Sequence, residues 1–292
     1  MDIKPFADEI ERQKLNVEGV LALRQGREIA YHRWVPELPR TVYSVSKSFA
    51  SIAVGMAIEE GKLQLSDRLT QVFKREKPDP RWDSLTLEHL LTMTMGHAEF
   101  SRPQSVEEAL SFELTGEPGS RFFYDNTCTF LASAMLSKAT GLKLRDYLLD
   151  RLFRPLGIPD PEWEESEDGY TIGATGLFLT TQDMARFGQF LLQRGNWKGS
   201  QLVSAAWIDG ATRTQVATRS SGGSPDYDLG YGYQFWTCRH GAFRCDGKLG
   251  QFIVVIPALD AVIAINSNEE NMERILWVVW DHILPQLKES AG

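Results

Sequence analysis

At 292 residues, 42% of them hydrophobic, the chain is long enough to bury a large core as one big domain or two. Its 39 acidic residues outnumber 31 basic ones, and the formal charge of -8 gives no electrostatic reason to bind nucleic acid or an anionic membrane. The start, Met1-Asp2-Ile3-Lys4-Pro5, lacks an apolar signal run, no later stretch is long and apolar enough to span a bilayer, and Cys128, Cys238 and Cys245 suit neither zinc nor a disulfide framework, so the expectation is a cytoplasmic protein.

In chain order, an amphipathic segment from Ile3 to Lys14 predicts a helix. Val17 to Arg24 and Glu28 to His32 predict strands on either side of Gln25-Gly26-Arg27, a gap that fits a hairpin turn. From Ser44 to Glu60, Phe49, Ile52, Ala53, Met56 and Ala57 repeat at helical spacing, with Gly61 as the C-terminal cap. The middle is largely helical: Thr86 to Leu91, Ser105 to Leu114, Asn126 to Thr140, and Leu144 to Leu156, broken near Pro155 and Gly157. Pro78, Pro80 and the charged residues between Lys74 and Arg81 predict an exposed loop. Thr181 to Gln193 predicts another helix. Apolar runs then predict strands at Tyr231 to Cys238, Gly241 to Cys245, Gln251 to Pro257 and Ala261 to Asn266, before a closing helix from Glu270 to Leu287. Strands at both ends with helices between imply an α/β fold. Its sheet domain would be discontinuous, residues 1–62 and 175–292, with a mostly helical domain, 63–174, inserted. A cleft between such parts is a usual place for a site.

Ser44-Val45-Ser46-Lys47 carries the chemistry. Three residues make nearly one helical turn, so hydroxyl and amine share a face. A serine is a poor nucleophile until a base takes its proton, and a lysine stripped of water has the lowered pKa that suits a base. Ser-x-x-Lys alone is common on solvated surfaces, but here the helix that follows is apolar enough to be buried. Tyr124-Asp125-Asn126, after Pro118-Gly119, forms a second candidate: Tyr124 as proton relay or base, Asn126 to position the lysine or a substrate carbonyl. Its bland reading is a packed tyrosine and a helix-capping Asn126. Cys245-Asp246-Gly247-Lys248-Leu249-Gly250 is a third, where glycines permit close approach and a backbone edge beside Ser44 supplies an N–H to an oxyanion.

These residues resemble the serine beta-lactamase and penicillin-binding protein superfamily, nearest its class C and esterase-like branch. Ser44-Val45-Ser46-Lys47 is similar to the first motif, and Tyr124-Asp125-Asn126 to the Tyr-x-Asn second motif. Leu90 to His97, Gly173 to Leu177 and Asp183 to Gly188 extend the likeness from about residue 15 to 285. The resemblance implies an antiparallel sheet flanked by helices plus the inserted helical domain. It implies Ser44 as acylated nucleophile, Lys47 as its proton acceptor and Tyr124 as assistant in acylation and deacylation. It also implies Asn126 as orienting residue, and an oxyanion held by the N–H groups of Ser44 and Lys248, with Gly247 as the motif glycine. Where the family begins its third motif with lysine or histidine, this chain has Cys245, a neutral thiol that cannot receive a substrate carboxylate; Lys248 and Arg244 are the candidate substitutes.

Cys245 and His97 are candidate cleft-lining residues: Cys245 as a small strand residue, with thiol catalysis the lesser reading beside the serine motif, and His97 as the histidine in a glycine turn of the resembled motif. Trp34, Trp82, Trp163, Trp197, Trp207 and Trp236 are further lining candidates, with ordinary packing as their default. His32, His89, His240 and His282 show no metal-ligand spacing and no glycine-rich phosphate cradle occurs, so neither cofactor nor metal is expected. The reading is a serine hydrolase acting on a small-molecule ester, amide or peptide-like substrate, with no nucleic acid or membrane partner. Its alternatives are a beta-lactamase or D-amino-acid-peptide hydrolase, and a catalytically degenerate binding or regulatory protein. The pattern carries no signal of oligomeric state.

Overall fold

The computed structural model describes residues 1–75, 79–218 and 224–289. Six antiparallel strands form the main sheet, in the spatial order Arg27–Arg33, Val17–Arg24, Ala261–Ser267, Gln251–Ile256, Phe243–Gly247 and Trp236–Thr237. The first strands of the chain thus pair with its last, Leu21 opposite Ala264 and Ala22 opposite Ile263. The fold is mixed α/β, with the sheet drawn from both ends of the chain.

Alternate residues of a strand face opposite sides. Val20, Ala22, Val254, Ile263 and Ile265 pack with Phe6, Ile10, Ile275, Val279 and Ile283 from the two terminal helical segments. Leu21, Ile253, Val255, Val262 and Ala264 join the other core, with Phe49, Phe187 and Phe190. A sheet covered on both faces needs apolar side chains on both, so its central strands read as nearly unbroken runs. The Ser46–Glu59 helix lies inside that second core, buried from Ser46 to Ala57. A helix with no polar face belongs in the interior. It packs against the Asn126–Thr140 helix, buried from Asn126 to Leu136, and Phe49 stacks on Phe187 with ring centroids 3.7 Å apart.

Several predicted boundaries move. The strand expected from Tyr231 to Cys238 contracts to Trp236–Thr237, because the chain doubles back: the Gly232 N–H donates to the Phe235 carbonyl at 2.8 Å, and Gln234 takes φ +68. Pro78 lies outside the described residues. Pro80 does not lie in a plain loop but opens a short helix, Pro80–Ser84, entered through Asp79, whose carboxylate accepts the Arg81 N–H at 3.0 Å. Leu144 to Leu156 is not broken at Pro155; it runs on through a π-helical turn at Leu149–Phe153 and stops at Gly157. No helix among the described residues is long and apolar enough to cross a membrane.

Candidate active site

Val42 to Ser46 make a tight turn at the head of the buried helix, so the expected helix start at Ser44 is a 3-10 turn, Tyr43–Val45. Tyr43 takes φ +46, a left-handed conformation that is costly for an aromatic residue. The turn is held by the Val45 N–H on the Val42 carbonyl at 3.1 Å and by Ser46 Oγ donating to the Tyr43 carbonyl at 2.6 Å. It leaves Ser44 lining a cleft of about 630 Å³ while its neighbour Val45 is sealed in the core.

Lys47 is 1% exposed. Its Nζ lies 3.0 Å from Ser44 Oγ, 2.6 Å from Asn126 Oδ1 and 2.8 Å from the Ala174 carbonyl. None of these partners is charged. Burial therefore dominates and lowers the Lys47 pKa to about 7, with the Asp125 carboxylate opposing the shift from farther off. A neutral amine has two N–H donors and one lone pair. Asn126 Oδ1 and the Ala174 carbonyl match the donors, which leaves the lone pair for the Ser44 hydroxyl.

Asn126 is the first residue of its helix, and the capping position belongs to Asp125, so Asn126 serves the lysine rather than its own helix end. Asp125 is fully buried. His97 Nδ1 lies 3.2 Å from its Oδ2, and the Ser101 N–H donates to Oδ1 at 2.8 Å. Burial pushes the Asp125 carboxyl up, but hydrogen bonds from His97, Ser101 and Thr127 outweigh it and hold it below the usual range. His97, stacked on Phe112 with centroids 5.2 Å apart, is thus spent on Asp125; it is not among the residues that line the cleft.

Tyr124 lines the cleft on the other side of Ser44. Its ring stacks on Trp236 with centroids 5.7 Å apart, and Lys47 Nζ lies 5.0 Å from the ring centre. Burial raises the Tyr124 pKa well above that of an ordinary phenol, and a hydrogen bond with Ser44 opposes this only in part. At neutral pH Tyr124 keeps its proton, which suits a relay and not a resting base.

The Phe243–Gly247 strand forms the facing wall. A Cβ on Gly247 would sit 2.3 Å from the Val42 carbonyl oxygen, so only glycine lets the strand lie against the Ser44 turn. Lys248, next along, is exposed and lines the cleft. Among the described residues neither the Ser44 N–H nor the Lys248 N–H has a protein acceptor. The expectation for Cys245 needs correcting. It is fully buried in the apolar core, and burial pushes its thiol up to about 12, opposed by a hydrogen bond with Ser48. The pleat explains the difference: Cys245 and Gly247 share one face of the strand, and Asp246 points the other way, into the cleft. Arg244 is fully buried and donates through Nε to Asp246 Oδ2 at 2.7 Å, so of the two candidate cations only Lys248 reaches the cleft.

Phe100, Arg102, Glu164, Phe178 and Tyr227 also line the cleft and carry no motif that marks them in the sequence. Asp246 was legible in principle, as the pleat partner of Cys245. Of the six tryptophans considered as lining candidates, Trp236 alone is a lining residue of this cleft. Among the described residues no three His, Cys, Asp or Glu side chains converge as a metal site.

A sequence model for the beta-lactamase family matches residues 7–281. A beta-lactamase from Escherichia coli (strain K12) is 28% identical over 218 residues, 62% of this chain and 57% of that protein. The match thus spans little more than half that relative's length. The 6-aminohexanoate-dimer hydrolase of Paenarthrobacter ureafaciens is 24% identical over 293 residues, 89% of this chain and 74% of the relative. Among solved structures, the octameric penicillin-binding protein homologue from Pyrococcus abyssi shares the fold, with a TM-score of 0.78 at 19% identity over 98% of this chain and 78% of that one. With a family match that runs over nearly its whole length, this chain belongs to the beta-lactamase family.

Proposed function

We propose that this chain is a serine hydrolase that cleaves a small ester or amide through an acyl-enzyme on Ser44. The observation that carries the reading is the buried Lys47 amine, its pKa lowered to about 7, at 3.0 Å from Ser44 Oγ in a cleft. Similarity to proteins named as a beta-lactamase and as a 6-aminohexanoate-dimer hydrolase supports hydrolysis.

Neutral Lys47 takes the Ser44 proton as Oγ bonds to the substrate carbonyl carbon. The carbonyl π pair moves onto oxygen, and the N–H groups of Ser44 and Lys248 hold that oxyanion. Collapse breaks the bond to the alcohol or amine, which leaves with a proton from the Tyr124 hydroxyl. The proton held by Lys47 replaces it, so the relay ends neutral. Water then loses a proton to the same relay, attacks the acyl carbon, and Ser44 leaves reprotonated with release of the acid. Asn126 keeps the amine aimed throughout by accepting one of its N–H groups.

Intact-mass analysis after a fluorophosphonate probe, with hydrolysis of short p-nitrophenyl esters, tests this. One adduct and ester turnover are expected in the wild type, and neither in Ser44→Ala. A folded wild type without adduct would overturn the nucleophile. Turnover lost in Ser44→Ala removes the degenerate binding protein from consideration. The similarity to the Escherichia coli protein favours a lactamase as second reading; nitrocefin turned over faster than the esters would decide for it.

A further inference from the structure

Asp246 is a buried carboxylate that the reaction above leaves unused. Only 9% of the residue is exposed, and it lines the cleft. Its Oδ2 accepts two hydrogen bonds, from Tyr227 OH at 3.0 Å and from Arg244 Nε at 2.7 Å. Its Oδ1 has no protein partner among the described residues. Arg244 lies behind it with no exposed surface; its Nη1 donates to the Asp226 carbonyl at 2.7 Å, and the rings of Tyr227 and Trp236 cover its guanidinium at 4.5 and 5.5 Å. The guanidinium therefore cannot turn to greet a substrate anion without abandoning these contacts.

This wall favours a cation. The bias rests on Asp246 itself: Tyr124, Tyr227 and Trp236 line the cleft beside it, but the rings of Tyr227 and Trp236 already cover Arg244, and Tyr124 already stacks on Trp236 and faces Lys47. A substrate carboxylate placed there would meet the free Asp246 oxygen. Its nearest support on this wall, the exposed Lys248 ammonium, is screened by solvent. Arg102 and Glu164, the other charged lining residues besides these, carry opposite signs.

Resting on the serine-hydrolase reading, we propose that Asp246 Oδ1 accepts an N–H from the substrate, so that the site selects substrates bearing an ammonium group over those bearing a carboxylate. The substrate donor completes the hydrogen bonding of the carboxylate, whose Oδ2 is held rigidly by Tyr227 and Arg244. This inverts the polarity that a cationic third motif would give the cleft, and it follows from the pleat that buries Cys245 and presents Asp246.

Two ester series test it, one varying the end of the acyl chain and the other the end of the alcohol. Each ends in dimethylammonium, in its neutral isostere isopropyl, in trimethylammonium or in carboxylate. In at least one series the wild type should show kcat/KM for the dimethylammonium ester roughly tenfold or more above the isopropyl ester, the size expected of a charge-assisted hydrogen bond. The carboxylate ester should be the poorest, and the trimethylammonium ester, which lacks an N–H, should fall below the dimethylammonium one. In Asp246→Asn the ratio of dimethylammonium to isopropyl turnover should collapse toward one. Equal turnover of those two esters in both series by the wild type would overturn the proposal, as would a preference that survives in Asp246→Asn. Should that variant fail to fold with Arg244 left unpaired, the comparison of dimethylammonium with trimethylammonium esters in the wild type decides alone. Isopropyl-ester turnover that vanishes in Ser44→Ala supports the hydrolase reading separately. A folded wild type inert to every ester would instead sink that reading, and this one with it.

Discussion

Each wall of the cleft buries an ionisable side chain that lies at the site, Lys47 and Asp246, but surrounds it differently. On the helix wall Lys47 has only neutral oxygens within hydrogen-bond reach, those of Ser44, Asn126 and Ala174. On the strand wall Asp246 has Arg244 at 2.7 Å. Burial pushes both groups toward their neutral forms. Lys47 falls to about 7, opposed only from farther off, chiefly by Asp125, whereas the rise of Asp246 is opposed at close range by Arg244 and by the Tyr227 hydrogen bond. Burial without an adjacent counter-charge thus yields a base at neutral pH. Burial with one keeps a fixed hydrogen-bonding edge, suited to recognition.

Replacing Lys47 with methionine should break the comparison most severely. Ester kcat should fall roughly 10²- to 10⁴-fold, the scale that a positioned general base contributes. Stability should move in a signed way. The folded pKa of about 7 lies below the ordinary 10.5, so between those values the unfolded chain holds the extra proton. Wild-type stability therefore gains up to about 1.4 kcal/mol per pH unit from this group as pH rises through that window, and nothing further below it. Denaturant melts of wild type and Lys47→Met across that window should differ by this slope; parallel curves would mean the amine is not desolvated.

On the strand wall, Asp246→Leu leaves the Arg244 guanidinium buried and unpaired, and should cost about 3–5 kcal/mol in denaturant melts. Adding Arg244→Met should restore most of that loss, because the desolvated charge goes with it. If the double variant is no more stable than the single, the pair is not the unit described above.

The smallest effect is expected from Asp125→Asn. The rate of ester hydrolysis in the wild type should rise with pH through about 7 as Lys47 loses its proton. Asp125 stabilises the charged lysine, so its neutral replacement should move that rising limb toward acid. A limb that stays put would show that Asp125 acts only through the geometry of Asn126.

Much of the helix wall was legible in the chain. Ser44 and Lys47 are three residues apart on one helical segment, so their proximity is set by local geometry, and the unbroken apolar pattern after them foretold burial. The central strands were legible for a similar reason, as runs apolar on both faces. The strand wall was less so. Cys245 drew attention by its place in a motif, while the pleat handed the cleft to Asp246. The Tyr231 to Cys238 run looked like a strand, but its composition did not reveal the reversal between Gly232 and Phe235. His97 was visible as a residue in a glycine turn, yet its partner Asp125 lies 28 positions away.

The amino-acid order by itself settled periodicity, the hydroxyl-amine pairing and the strand patterns at both ends of the chain, because each depends on neighbours a few bonds away. The tertiary structure decided the charge state of that amine, the partner of each buried carboxylate and the side of the strand that meets a substrate. Those depend on what lies within a few ångströms through space. The Ala174 carbonyl, 127 residues from Lys47 along the chain, reaches its amine only once the core has closed.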